Sequence, residues 1–180
     1  MSVFGKPKGK KLHTRTIEVH TYEYDGQRLV VEGALKDLRW QEHYLATGEK
    51  KPPGILHGMV IHLLVNLHSL EIEDVHVEMP DTPRDECRQT LNSLEGVRGM
   101  RIAGGFTLKV KDLFGGVRGC SHLTALLTAM APAAVQGFAA HLLRDEAELK
   151  SIWAGLSRFL KDTCWVWRAD GPLLEKLKSL

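Results

Sequence analysis

Alternation of apolar and polar residues between Ile55 and Leu67 is the feature that most constrains the fold. From Met59 onward every second residue in the stretch is large and apolar, the run being Met59, Ile61, Leu63, Val65 and Leu67. Because side chains of a strand point alternately to opposite faces, this pattern predicts a central strand with one buried face. His57 begins the strand on that apolar side, just before Gly58. We therefore expect a sheet with His57 at the mouth of its central strand.

A β-hairpin is predicted ahead of this strand, over residues 15–38. β-branched and aromatic residues are dense on both sides of Asp25-Gly26, a strong signal for a two-residue turn. Such a turn places Val19 opposite Glu32 and leaves Glu32 on an otherwise aliphatic face that ends at Arg15. A carboxylate buried among aliphatic side chains must be paired or protonated. Glu32 is therefore predicted either to form an ion pair with Arg15 or to act as a general acid or base.

The remaining elements are predicted to complete an α+β fold, with an antiparallel sheet from the N-terminal half and helices from the C-terminal half packed on one face. A strand-rich half followed by a helix-rich half is typical of that class. The expected elements are a polar loop or flap over 41–54, a strand over 72–79 with a bulge before Val75, a short helix over 83–94 capped by Thr82, a strand over 107–113, a helix from Cys120 that Pro132 kinks or divides, and a helix over 145–160.

Composition is that of one compact soluble domain, with 43% hydrophobic and 26% charged residues among 180. The Lys-rich start predicts a disordered basic tail over 1–14, ahead of a single domain over 15–180. The net charge is only +2, so the body is slightly acidic and lacks the basic character of a nucleic-acid binder. A cytoplasmic location without membrane contact is expected, since neither a secretory signal nor an apolar run of roughly 18–20 residues is evident.

Three cysteines without an export signal favour free thiols over disulfides. The densest chemical signal is the segment Gly119-Cys120-Ser121-His122, a glycine-rich approach to a helix start. Backbone N–H groups and the helix dipole at such a position should lower the pKa of the Cys120 thiol. The positive charge of Arg118 would also lower this pKa. The same N–H groups and helix dipole could instead bind a substrate anion.

Three uses of Cys120 stay open at this stage. It could join a tetrahedral zinc or iron site of three sulfurs and one nitrogen, formed by Cys87, Cys120, His122 and Cys164. It could be a nucleophile activated by His122 or His57. It could also be a small buried residue beneath a helix capped by Ser121. No nucleotide cofactor is expected, because the sequence has neither an intact dinucleotide fingerprint nor a P-loop.

The order of these motifs resembles the bacterial family known as domain of unknown function 2889. The resemblance covers roughly 15–171. It is carried by Arg15-Thr-Ile-Glu-Val, Asp25-Gly26, Glu32-Gly-Ala-Leu-Lys-Asp37, His57-Gly-Met59, Pro83 with Cys87, Gly119-Cys-Ser-His-Leu123 and Cys164-Trp165. It implies that Glu32, Asp37, His57, Cys87, Cys120, His122 and Cys164 belong to one site. It brings no established activity, only a loose association with bacterial catabolism of aromatic compounds. Iron–sulfur scaffold proteins are a second likeness, of topology alone.

These observations predict a small cytoplasmic enzyme, metal-binding or thiol-dependent, that acts on a small organic or aromatic compound, as a lyase or hydrolase. The predicted catalytic residues are Cys120, His122, His57 and Glu32, and the predicted substrate-binding residues are Arg15, Asp37 and Arg118. The alternatives are a non-enzymatic metal or iron–sulfur carrier and a structural or regulatory protein. A small-molecule ligand is expected as partner, nucleic acid and membrane are not, and a homodimer is left open.

Overall fold

A computed structural model describes residues 5, 8–144 and 160–177 of the chain. The N-terminal half forms a four-stranded antiparallel sheet in the order β1-β2-β5-β6, and the C-terminal half is helical, which confirms the α+β prediction. A separate two-stranded hairpin, β3-β4, lies within the loop predicted over 41–54. The strands are β1 His13–Glu23, β2 Arg28–Arg39, β3 His43–Tyr44, β4 Lys50–Lys51, β5 Gly54–Asn66 and β6 Ile72–Asp81.

Helices cover one face of the four-stranded sheet. The helical elements are a 3-10 helix Asp85–Val97, α1 Phe106–Phe114, a short 3-10 turn Gly116–Arg118, α2 Ser121–Leu142 and α3 Pro172–Leu177, of which α2 and the longer 3-10 helix contact the sheet directly. In the described part of the chain, α2 is the helix whose length and mean hydropathy of 1.4 would also suit a membrane span. It contacts β1, β2 and β5, however, and its buried residues join the sheet in one core, so it is a core helix here.

The predicted central strand is confirmed as β5. Its four alternating apolar side chains from Met59 to Val65 are all 1% exposed or less and form the middle of the core, and Leu67, just beyond the strand, is 3% exposed. The bulge predicted in the fourth strand is also present, because Leu64 pairs with Asp74 whereas Val65 pairs with Ile72, leaving Glu73 as the extra residue. Alternation thus identifies the buried face of this sheet correctly.

The β1–β2 hairpin differs from its prediction by one residue. Its loop has three residues, Asp25-Gly26-Gln27, because the Tyr24 N–H donates to the Arg28 carbonyl at 3.0 Å and Gly26 has a φ of 77°. Glu32 consequently lies opposite His20 instead of Val19. A shift of one residue in the pairing moves every side chain of one strand to the opposite face relative to its partner strand. The predicted Arg15–Glu32 ion pair is therefore wrong, and Glu32 lies on the outer face, away from the helices.

Other predicted elements differ in type or extent. Residues 107–113 lie in helix α1 instead of a strand, because Phe106, Val110 and Phe114 are buried at helical spacing. The helix predicted over 83–94 is the 3-10 helix Asp85–Val97, whose N-cap is Arg84 and not Thr82. Helix α2 continues through Pro132, so it is not divided. Most of the helix predicted over 145–160 lies outside the described residues.

Two glycines let α2 lie close against the sheet. A Cβ added at Gly33 of β2 would be 2.6 Å from the Sδ of Met130, and one at Gly137 of α2 would be 2.6 Å from Thr21. Atoms cannot approach so closely, so the absence of both side chains permits the observed packing. This packing holds the N-terminus of α2 over the end of the inner face where β1 begins and β2 ends.

Candidate functional site

Asp37 is the centre of the candidate site. It is the one charged residue that is fully buried in the part of the chain that the structure describes, with 3% of its surface exposed. It lies near the end of β2, between Arg15 of β1 and His57 of β5 in the sheet register. Arg15 donates to both carboxylate oxygens at 2.7 Å, through Nε and Nη2. This bidentate pair neutralises the buried charge.

Three imidazoles from three different elements also face the Asp37 carboxylate. His13 Nε2 lies 3.0 Å from Oδ1, while His57 Nδ1 and His122 Nε2 lie 3.1 and 3.3 Å from Oδ2. The hydrogen bonds from Arg15, and after them the one from His13, hold the pKa of Asp37 well below its usual range although burial opposes them. Asp37 is therefore ionised at neutral pH, hydrogen-bonded to Arg15, His13 and His57 and in close contact with His122.

An ionised carboxylate only accepts hydrogen bonds, which fixes the tautomers of its neutral neighbours. The His122 nitrogen that faces Asp37 is Nε2, at 3.3 Å, and the carboxylate favours the tautomer with the proton on this atom and the lone pair on Nδ1. His57 faces Asp37 through Nδ1, which leaves the lone pair on its Nε2. Burial lowers the pKa of His57 more strongly than Asp37 raises it, so this imidazole is neutral at pH 7. The His57 and His122 rings stack with centroids 3.9 Å apart.

Cys120 lies next to the lone-pair nitrogen of His122, with its Sγ 3.8 Å from Nδ1. Residues two apart on one helix point to nearly opposite sides. Cys120 escapes this restriction because it is the N-cap of α2 and has extended backbone angles, φ −94° and ψ 125°. Burial opposes ionisation of the thiol, but the His122 hydrogen bond and the backbone N–H groups of Leu123 and His122 together lower the pKa of Cys120.

The structure does not bring all the predicted site residues to this cluster. Glu32 lies on the outer face, where its carboxylate is 3.6 Å from His62. Arg118 is exposed and faces Asp112 at 3.6 Å. Cys87 lies on the 3-10 helix and is half-buried, whereas Cys164 is exposed in the segment 160–177. From the predicted metal set, the structure thus joins Cys120 with His122.

A different set of side chains in the described residues could hold a metal ion, namely Asp37, His57 and His122. Each offers one ligand atom, and these three atoms lie within 4.8 Å of one another. Two imidazoles and a carboxylate suit zinc or iron. Both Asp37 oxygens already accept hydrogen bonds from Arg15, so an ion would have to share this carboxylate with the guanidinium.

His13 is the member of the cluster that sequence reasoning missed. The predicted tail covers residues 1–14, yet β1 begins at His13, and this residue pairs with Arg39 in the sheet. Extending the alternating pattern of the first strand from Arg15 back to residue 13 would have identified His13, because these two residues share a face.

Comparison with known proteins agrees with the resemblance seen in the sequence. A profile of the family described as "Protein of unknown function (DUF2889)" matches residues 13–136. The chain belongs to this family. The part matched as DUF2889 contains every residue of the Asp37 cluster and Cys120, whereas Cys164 lies beyond it. No curated protein and no solved structure shows significant similarity to the chain.

Proposed function

We propose that this protein is a thiol-dependent enzyme in which Cys120 is the nucleophile, His122 the general base and Asp37 the group that orients His122. The observation that carries the proposal is a continuous line of contacts. Cys120 Sγ lies 3.8 Å from His122 Nδ1, and His122 Nε2 lies 3.3 Å from Asp37 Oδ2. A nucleophile, a base and an orienting carboxylate in this order are the arrangement that activates a thiol.

The groups that can accept and donate protons here fit a two-step acyl transfer. His122 Nδ1 takes the thiol proton, and the thiolate attacks a carbonyl carbon, so that a carbon–sulfur bond forms. The bond to the leaving group then breaks, and the leaving group takes the proton from His122. Water next attacks the thioester and gives one proton to His122, which returns it to the departing Cys120 sulfur. No redox partner is needed, which favours a hydrolase over an oxidoreductase.

Neighbouring residues supply the supporting roles. Arg15 keeps Asp37 ionised, and the ionised Asp37 stabilises the His122 imidazolium that forms during attack. His57 is stacked on His122 and keeps a lone pair on Nε2, so it could receive a proton from the attacking water. The Arg39 guanidinium is close enough to His57 for its charge to lower the pKa of that imidazole, and it forms no ion pair or side-chain hydrogen bond within the described part of the chain. We therefore expect a small organic acid as substrate, with aromatic acids among the candidates.

Acyl-enzyme trapping tests this function. The full chain is incubated with a panel of small p-nitrophenyl esters and thioesters, and intact-protein mass spectrometry records the adduct. Cys120→Ser should abolish both the thioester adduct and turnover, and His122→Ala should lower the acylation rate by roughly 10²-fold or more. Cys87→Ser is the matched control and should behave as wild type. Turnover that persists in Cys120→Ser would overturn the proposal.

A metal centre is the second candidate, favoured by the mutual approach of the Asp37, His57 and His122 ligand atoms. In this function the site would hold zinc or iron, either for catalysis or as a carrier. Elemental analysis of protein purified without chelators distinguishes the two. Stoichiometric metal that is lost in His57→Ala but kept in Cys120→Ser would favour the metal centre, whereas metal-free protein with a reactive Cys120 would favour the thiol enzyme.

A further inference from the structure

The outer face of the sheet carries a second group of histidines and carboxylates, which the proposed function does not use. The register aligns one residue from each strand in a row, since His20 lies opposite Glu32, Glu32 opposite His62, and His62 opposite His76. Glu78 lies two residues beyond His76 on β6, and side chains alternate along a strand, so it points to the same face. This outer row contains Glu32, the residue singled out in the sequence for a charge that needed a partner.

His62 lies between two carboxylates of the outer row. Its Nδ1 is 3.6 Å from Glu32 Oε2, and its Nε2 is 3.6 Å from Glu78 Oε1. The same Glu78 oxygen is 3.7 Å from His76 Nε2. One carboxylate oxygen therefore faces a ring nitrogen from each of two neighbouring strands.

The two separations between Glu78 and the imidazole nitrogens, 3.6 and 3.7 Å, are close to those between ligands of a tetrahedral ion. Bonds of about 2.0–2.1 Å to zinc at tetrahedral angles place neighbouring ligand atoms roughly 3.3–3.4 Å apart. The two imidazoles lie farther apart than this: the His62 and His76 ring centroids are 6.1 Å apart with the rings tilted by 33°, and the ligand atoms of His62, His76 and Glu78 do not all lie within 4.8 Å of one another, so the side chains must rotate to bring both Nε2 atoms to one ion. The His76 and Glu78 side chains are 71% and 54% exposed, and both are free to make this adjustment.

We propose that His62, His76 and Glu78 bind a divalent transition metal of the zinc type, with Glu32 as the carboxylate that holds His62. A ligating histidine commonly donates its other ring N–H to a carboxylate, which fixes the tautomer and raises ligand basicity. Glu32 is placed to accept that hydrogen bond from Nδ1, leaving Nε2 for the ion. Two imidazoles select zinc, nickel or copper over calcium and magnesium, which prefer oxygen ligands.

The outer site is independent of the proposed function. Glu32 and Asp37 are five positions apart on β2, and alternation directs their side chains to opposite faces. Loss of the outer ion should therefore leave the reactivity of Cys120 unchanged, and loss of Cys120 should leave the outer ion bound.

Titration of the full chain with Zn²⁺ and Co²⁺, followed by calorimetry and by cobalt absorption, tests this site. We expect one equivalent that is lost, or weakened at least tenfold, in the double variant His62→Asn with His76→Asn. Glu32→Gln should weaken binding by about 10-fold or more while keeping the stoichiometry. His20→Asn is the matched control, because it lies in the same row without being a proposed ligand, and it should bind as wild type. Far-UV circular dichroism checks that each variant is folded.

Site assignment is needed because the Asp37 cluster could also take an ion. Paramagnetic Co²⁺ should broaden the imidazole proton signals of His62 and His76 at the first equivalent. Broadening confined to His57 and His122 would overturn the proposal, as would unchanged binding in the double variant. Equal weakening by His20→Asn would also overturn it, since it would reduce the effect to general surface charge.

Discussion

The two faces of one sheet carry similar residues in different environments. On the inner face, Asp37 is 4% exposed in its side chain and is surrounded by a guanidinium and three imidazoles. On the outer face, Glu32 is 41% exposed in its side chain and faces the single imidazole of His62 at 3.6 Å. Both carboxylates lie on β2, five positions apart. The two carboxylates thus differ in burial and in the number of donors around them, which suits Asp37 to its proposed role of orienting His122 and the solvated Glu32 to its proposed role beside an ion.

Replacement of Asp37 should have the largest effect of the substitutions that test this difference between the two faces. Asp37→Asn removes the charge that balances Arg15, and we expect the free energy of unfolding at pH 7 to fall by about 2–3 kcal/mol. This is less than for a fully buried pair, because Arg15 is 41% exposed in its side chain. Glu32→Gln on the outer face should change it by no more than about 0.5 kcal/mol. Urea unfolding followed by circular dichroism measures both, and equal effects would contradict the difference between the faces.

The close approach of α2 gives a second comparison between adjacent residues. Gly33→Ala should cost about 1–2 kcal/mol, because the new methyl group meets Met130 and Leu126 on the inner face. It should also slow the reaction of Cys120 with iodoacetamide, since displacement of α2 moves His122 away from Asp37. Ala34→Ser on the outer face is the control and should leave both properties nearly unchanged. An unaltered Cys120 rate in Gly33→Ala would show that helix position does not control the thiol.

Thiol reactivity tests the link between Cys120 and its imidazole. The lowered pKa of Cys120 predicts a larger thiolate fraction than in an ordinary thiol, whose pKa is about 8.5, so iodoacetamide should react with Cys120 at a lower pH. In His122→Gln the midpoint of the pH–rate profile should rise and the rate at pH 7 should fall by roughly tenfold. His62→Gln should have no effect. A midpoint that is the same in His122→Gln and wild type would remove His122 from the mechanism.

Mildly acidic pH should reveal a smaller difference between the two faces, in how His57 and His76 affect the free energy of unfolding. The pKa of His57 is lower in the folded chain than the unfolded value of about 6.5, so the unfolded state takes up the proton first. Stability therefore falls as pH drops below about 6.5, by at most about 1.4 kcal/mol per pH unit from this group. His57→Gln should remove that slope, whereas His76→Gln should keep it. Asp37 adds a second loss only below about pH 4, as its own depressed pKa is approached.

The sequence predicted the sheet well where one face is entirely apolar. The alternation in β5 and the bulge before Val75 were both correct, because a buried face restricts each position. The β1–β2 register was wrong because Asp25-Gly26 fits loops of two and of three residues. Only the observed hydrogen bond from Tyr24 to Arg28 decides between them.

The sequence selected His57, Cys120 and His122 because they stand at the ends of elements. The structure brings His57 and His122 to Asp37, and Cys120 to His122, while their roles stay predictions. The position of Asp37 beside Arg15 could not be derived from the pattern, because it depends on which residue of β1 lies opposite. Because the predicted β1–β2 register was displaced by one residue, Arg15 was predicted to pair with Glu32.

The hairpin loop at Asp25-Gly26-Gln27 has a consequence for how this chain can change in evolution or by engineering. Asp37 is eleven residues beyond Gly26, roughly 36 Å along an extended strand, so no atom of the turn reaches the candidate site. Deletion of one loop residue would nevertheless turn β1 over relative to β2 and direct Arg15 away from Asp37. Sequence drift in this exposed turn is thus tolerable, but a change in its length is not. Insertions should be tolerated better in the segment 41–54, because its hairpin lies outside the main sheet.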